Sequence, residues 1–422
     1  MSAERKSSAS LAVAGATIGG RRATLRVEDG LIAELGPDVV VQQGDEVLEA
    51  GGAALVPGLI NGHTHAAMTL FRNSGDDLPL MHWLRERIWP LEARLEPEDV
   101  YWGTRLACLE MIRSGTVRFW DMYWHPEATA RAVEDSGLRA TIAAPLIEAG
   151  RGLAALREDA LRSLDQLVGS GDRISVALAP HAIYTVDEEG LRWVAELAAE
   201  RGLPIHIHLS ETEDEVADCM REHGRRPAAY LDRLGALGPR TLLAHGVWLD
   251  QSELALVAER EATVVTNPVA NLKLAVGRAF PYPGARDAGV SVGIGTDGPA
   301  SNNSLDVLAD TKVFVLLQRN EARDPAAVGA AEAWELATGR RAPLLGASGR
   351  LEPGEPADFL LLRTDAPGLS VGDLTAGLVF AGGAAVDTCV VAGRTLMREG
   401  IVENADEVIA KAVERARRLD SG

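Results

Sequence analysis

Between about residue 55 and residue 345, short apolar runs alternate with longer stretches whose apolar positions recur at helical spacing. Eight runs read as strands: 54–61, 116–122, 139–147, 174–180, 204–209, 241–245, 263–267 and 291–296. Amphipathic segments such as Glu98–Ser114, Asp187–Arg201 and Gln251–Arg260 separate them. Strands alternating with helices pair in parallel through right-handed crossovers. Eight such units predict an α/β fold, a closed (β/α)₈ TIM barrel, with its active site at the C-terminal ends of the strands.

The flanks have another rhythm. Residues 8–57 hold short alternating runs with Gly turns, among them Ala23–Val27 and Gly30–Leu35, and residues 350–403 repeat the style in Asp358–Leu362 and Val386–Gly393. The expected division is a barrel over 58–345 and a small β-sandwich domain built from 1–57 with 346–422. Ala405–Leu419 reads as a charged terminal helix.

Composition narrows the function. A formal net charge of −19 would repel a polyanion, so nucleic acid is not an expected partner. No apolar run is long enough to span a bilayer, and Met1–Lys6 is not followed by a convincing signal core, so a cytoplasmic protein without membrane partners is expected. The partners anticipated are a small-molecule substrate and further copies of the chain. Cys108, Cys219 and Cys389 lie far apart and read as buried thiols.

The chemistry is concentrated in histidine. Only nine occur, yet His63 and His65 stand two apart where the first apolar run stops at Asn61-Gly62. Side chains two apart on a strand share a side, so two imidazoles there can grip one metal ion. Alone, such a pair is weak evidence. Three further runs also end in His or acidic residues: His206-Ile207-His208-Leu209-Ser210-Glu211, Leu243-Ala244-His245 and Gly295-Thr296-Asp297.

These segments resemble the amidohydrolase superfamily and, within it, the deaminases of S-adenosylhomocysteine and 5′-methylthioadenosine. The resemblance rests on Pro57–Met68, Asp76–Leu84, Ala179–Thr185, His206–Thr212, Asn271–Leu274 and Gly295–Asn303, and runs over nearly the whole chain. Triazine hydrolases are also similar. The resemblance implies one divalent metal, zinc or else iron, held by His63, His65, His208 and Asp297. Binuclear relatives carry a bridging lysine at the end of the fourth strand, and Ile174–Pro180 has none.

Deamination of an aromatic amine needs a nucleophile at neutral pH and a proton delivered to the ring nitrogen. By resemblance, Glu211 moves that proton, His245 and Asp297 hold the attacking oxygen, and His181 meets the purine. Glu92 would read the ribose hydroxyls, Trp83 would stack on the base, and Ser301 and Asn302 would line the pocket. His206 is expected behind the ligands. Two departures bear on the substrate. Some relatives carry an arginine in the third strand for a carboxylate tail, whereas Ala140–Leu146 is poor in cations and Arg151 is the nearest substitute. His82 stands where an acidic residue is common and reads as a rim residue. The expected reaction is deamination of a 5′-modified adenosine, with 5′-methylthioadenosine or adenosine favoured over S-adenosylhomocysteine. The alternative is a metallohydrolase for another N-heterocycle: a guanine-like base, a pterin or an s-triazine. Retention of every ligand with Glu211 and His245 argues against a metal-free scaffold.

Overall fold

The computed structural model describes residues 10–74, 78, 80–148, 150–346, 349–381 and 385–420. Met1–Lys6 and Asp76, Asp77 and Pro79 of the Asp76–Leu84 segment lie outside the described residues.

The barrel strands are β1 (Leu59–Thr64), β2 (Thr116–Met122), β3 (Arg139–Ala143, resuming at Pro145–Leu146), β4 (Ile174–Val176, resuming at Ala179–Pro180), β5 (Ile205–Leu209), β6 (Thr241–His245), β7 (Thr263–Thr266) and β8 (Ser291–Ile294). All pair in parallel, in the order β4-β3-β2-β1 and β5-β6-β7-β8. Two seams close the ring. His206 N–H donates to Leu178 O at 2.9 Å between β5 and β4, and Asp297 N–H donates to His63 O at 3.0 Å between β8 and β1. Apart from the partly exposed Ile174–Val176, these strands are buried on both faces, so they read as near-continuous apolar runs. Ile60, Trp120, Ala143, Ala179, Leu242 and Val265 converge as one buried cluster inside the barrel.

Local sequence explains the helices. Pro97–Ser114 starts where the Asp99 carboxylate accepts the Glu96 N–H at 2.8 Å and stops at Gly115, whose φ of 92° suits glycine. Gln251–Glu259 is capped by Asp250, which accepts N–H bonds from Ser252 and Glu253. The tail helix, Ala405–Asp420, packs on Pro97–Ser114, with Arg418 Nε donating to Asp99 Oδ1 at 3.1 Å.

Strands from both ends of the chain share one nine-stranded sheet. Its seam is the antiparallel pairing of Ala54–Pro57 with Phe359–Leu362. The run 54–61 is therefore divided. Its first half belongs to this sheet and its second half opens the barrel. The division falls at Gly58, where a Cβ would meet Val117 Cγ1 at 2.3 Å. The C-terminal flank also contains a helix, Leu374–Ala381, among its strands.

The first apolar run stops at Asn61-Gly62, a pair whose local preference is a turn, yet β1 continues through it to Thr64. Asn61 is satisfied sideways, donating to Thr296 Oγ1 at 2.7 Å and accepting Thr296 N–H at 3.0 Å. Gly62 sits where a Cβ would come within 2.8 Å of Val265 Cγ2. A pair that favours turns locally is held extended by its neighbours across the barrel.

Candidate metal centre and active site

The C-terminal rim gathers the polar residues. Three of them, Ser210, His245 and Asp297, have left-handed backbones with φ of 52°, 73° and 61°. Such conformations are costly for non-glycine residues and concentrate where surrounding structure imposes them.

Each histidine of the centre has one ring nitrogen occupied. His65 Nδ1 donates to Met122 O at 2.6 Å, and His208 Nδ1 donates to His181 O at 2.7 Å. His63 Nδ1 lies 2.8 Å from His206 Nε2. The remaining Nε2 atoms converge. Those of His63 and His65 each lie 3.3 Å from Asp297 Oδ1, and those of His65 and His208 are 3.3 Å apart. Ligand atoms about 2.0–2.1 Å from one ion at a tetrahedral angle lie about 3.3–3.4 Å from each other, so the spacing fits a single divalent cation. His63 Nε2 is buried with no hydrogen-bond partner, as a ligand nitrogen facing an ion would be.

The donor atoms of His63, His208, His245 and Asp297 all lie within 4.8 Å of one another, so His245 shares the cluster. Its ring stands farther back. Centroids are 5.5 and 5.6 Å from His208 and His63, against 4.9 Å from His63 to each of His65 and His208. His245 Nδ1 donates to Asn271 Oδ1 at 2.8 Å, which turns its other nitrogen toward the cavity.

A cavity opens beside these residues. His65, His208, Glu211, His245 and Asp297 form its inner end, and Trp83, Glu92, His181 and Ser301 line it too. Ser301 also steadies the proposed ligand carboxylate, since its hydroxyl donates to Asp297 Oδ2 at 2.6 Å. Asn302 instead braces the loop, donating to Thr296 O at 2.7 Å and Asp310 Oδ2 at 2.9 Å. Arg151 is not brought to the cavity. It is half-exposed and pairs with Asp159 at 2.7 Å, in a loop where Gly150 and Gly152 on either side have left-handed backbones. His82 is exposed and does not line the cavity.

Without an ion, the electrostatics are those of a preformed cation site. Burial opposes the ionised form of Asp297, yet the adjoining imidazoles of His63 and His65 hold its carboxyl well below the usual range. Burial holds His63 down at about 4. It also works against charge on His65, which Asp297 nevertheless raises to about 9. Burial pushes the Glu211 carboxyl up, with His245 opposing and Asp297 adding to the shift. Glu215 is pushed up to about 7 by burial, against the N–H groups of Ser210 and Glu211, which it accepts at 2.8 and 2.9 Å.

Residues 54–396 match the sequence profile of the amidohydrolase family. The chain belongs to that family. A 5′-deoxyadenosine deaminase of Methanoregula boonei is 46% identical over 381 residues, covering 88% of this chain and 86% of the relative. A 5-methylthioadenosine/S-adenosylhomocysteine deaminase of Archaeoglobus fulgidus is 41% identical, covering 94% of each. Among solved structures, a Xanthomonas campestris adenosine deaminase with bound zinc superposes with a TM-score of 0.91 at 32% identity, over 98% of this chain and 99% of that one. An atrazine chlorohydrolase of Arthrobacter aurescens superposes at 0.90 with 22% identity and shares the fold. As an amidohydrolase the chain is a hydrolase, and its deaminase relatives support deamination of an adenosine analogue. Among the described residues, no helix is long and apolar enough to cross a membrane.

Further wall residues carry no signal in the sequence, among them Leu80, Leu84, Ile88, Tyr123, Ile147 and Tyr184. Leu80, Leu84 and Ile88 come from the helical stretch after β1, and Tyr123, Ile147 and Tyr184 from the loops after β2, β3 and β4; none differs in pattern from an ordinary core residue. Tyr123 stands out only in three dimensions, because its hydroxyl is buried on the cavity wall beside Glu92.

Proposed function

We propose that this amidohydrolase converts a 5′-modified adenosine and water to the corresponding inosine and ammonia, with one zinc ion held by His63, His65, His208 and Asp297. The observation that carries this reading is a single cavity with a cation-fitted cluster and Glu211 at its inner end and Glu92 on its wall. A divalent ion with an open coordination position supplies a nucleophilic water at neutral pH. Zinc is favoured because the Xanthomonas relative was solved with it.

Glu211, on the loop after β5, takes a proton from the attacking water and delivers it to the purine N1 as C6 becomes tetrahedral. His245, with its Nδ1–H committed to Asn271, presents a lone pair that accepts a hydrogen bond from the same oxygen. The second water proton passes to the amino group through Asp297, the C6–N bond breaks, and ammonia leaves. His181 has its Nδ1 3.2 Å from the Thr185 hydroxyl, which leaves Nε2 for the purine. Glu92 carries two acceptor oxygens to a ribose diol, and Trp83, held by its own indole bond to Ser74 O at 2.8 Å, offers a flat face to the base.

The 5′ substituent follows from charge. Among the described residues no lysine or arginine lines the cavity, and its acidic residues are Glu92, Glu211 and Asp297. A tail carboxylate finds no fixed partner there. A missing charge-assisted hydrogen bond, about 1.5–3 kcal/mol, lowers kcat/KM by about 10–150-fold. The test is a panel of adenosine, 5′-deoxyadenosine, 5′-methylthioadenosine and S-adenosylhomocysteine, with guanine and an s-triazine as controls. The expected outcome is deamination of the first three ahead of S-adenosylhomocysteine. Turnover of only the controls would refute the nucleoside assignment, and S-adenosylhomocysteine as the best substrate would refute the tail argument.

A further inference from the structure

The three histidines proposed to hold the ion are oriented in two different ways. His65 and His208 donate Nδ1–H to main-chain carbonyls. A carbonyl only accepts, so the tautomer of each ring is set by the backbone. His63 alone leans on a side chain, the imidazole of His206, at 2.8 Å. Both rings are fully buried. A neutral imidazole can donate or accept, so this bond has two forms. In one, His63 Nδ1–H donates to His206 Nε2, and His63 Nε2 offers its lone pair to the donor cluster. In the other, His206 Nε2–H donates to His63 Nδ1, and the His63 proton sits on Nε2, pointing at Asp297 Oδ1 3.3 Å away. Only the first form binds a cation.

We propose that His206 is a positioning residue for the metal centre: as a neutral acceptor it fixes both the ring plane and the cation-binding tautomer of His63. This rests on the metal-centre reading above. The first form requires the His206 proton on Nδ1. That atom is buried with no hydrogen-bond partner, beside the Trp120 ring at a centroid distance of 5.7 Å. The protein thus leaves one imidazole N–H unpaired behind the centre, and in return every ligand imidazole is backed by an uncharged acceptor. Asp297 is then the sole anionic ligand. An acceptor behind a ligand histidine is worth about 10–100-fold in metal affinity.

The test is zinc affinity of the full-length protein, measured by competition with a chromophoric chelator. His206→Gln places an amide oxygen near the Nε2 position and keeps an acceptor, whereas His206→Leu removes it and strands the His63 N–H. The expected result is a loss of about 10–100-fold for His206→Leu, largely recovered in His206→Gln. A ring that serves only packing predicts the reverse order, since leucine suits an apolar site better than glutamine. Wild-type affinity in His206→Leu would overturn the proposal. A readout that needs no variant is the ¹⁵N spectrum of the histidines in the zinc-loaded wild type. His206 protonated on Nδ1 supports the proposal, and protonation on Nε2 overturns it. Failure of the wild-type protein to bind zinc or another divalent ion would instead remove the metal-centre reading itself.

Discussion

Glu211→Gln separates proton transfer from everything else the site does. The carboxyl is buried beside His245, with Oε1 3.8 Å from His245 Nδ1, and its backbone N–H is held by Glu215 at 2.9 Å. Glutamine preserves the volume and the loop, but it can neither take a proton from water nor hand one to the ring. A positioned acid–base group contributes about 10²–10⁴-fold. At about 1.36 kcal/mol per decade, that is about 2.7–5.4 kcal/mol in the barrier. We therefore expect kcat to fall by at least about 10²-fold. Bound metal should stay at one equivalent per chain, because Glu211 is outside the proposed ligand set. Stability gives an independent check. Burial raises the Glu211 carboxyl in the fold, so the metal-free native state resists its ionisation, and that cost is fully present above the raised pKa. Glutamine carries no such cost, so the chelator-treated variant should melt no lower than the wild type near neutral pH. The assay is loss of adenine absorbance with 5′-methylthioadenosine, alongside metal analysis of the same sample. A kcat within tenfold of wild type at full metal content would refute the acid–base role. Loss of metal would show that Glu211 belongs to the cation site instead.

Asn271→Ala removes the acceptor that fixes His245 and leaves a buried N–H unpaired, a cost of about 1–3 kcal/mol. Unfolding stability should fall by that amount, and steady-state kinetics should show a lower kcat with metal retained; unchanged kcat would free His245 from its assigned role. In the β-domain, Arg26 donates to Asp45 at 2.9 Å, and that bond lowers the Asp45 carboxyl from 3.8 to about 2. The stabilisation is fully present above 3.8 and is lost as pH falls through about 2. Asp45→Asn should therefore lower unfolding stability by about 1–2 kcal/mol at neutral pH after allowance for solvent screening. The gap between variant and wild type in denaturant titrations should close in strong acid, and a gap independent of pH would assign the loss to packing.

Much of this protein is determined locally and was legible for that reason. A strand buried on both faces must be apolar along its length, so the eight barrel runs stand out, and β5 through β8 appear within a residue or two of their sequence limits. The residues at the ends of those runs, His208, Glu211, His245 and Asp297, reach one rim because parallel strands carry all their C-terminal ends to the same side. Other features depend on partners far away in the chain. Asn61-Gly62 is extended only because Thr296 and Val265 lie across the barrel. Gly58, where the run divides, has no room for a Cβ because of the side chain of Val117. Arg151 was placed near the cavity by its position after the third strand, but the turn of the loop takes it outward to Asp159. Tyr123 and Ile147 have no local pattern that separates cavity wall from core. The bond from His63 to His206 joins residues 143 apart, and only closure of the barrel brings β5 behind β1. Chain-local patterning thus specifies which residues are chemically competent, whereas their hydrogen-bond partners, tautomers and exposure arise when the ring of strands closes and excludes water.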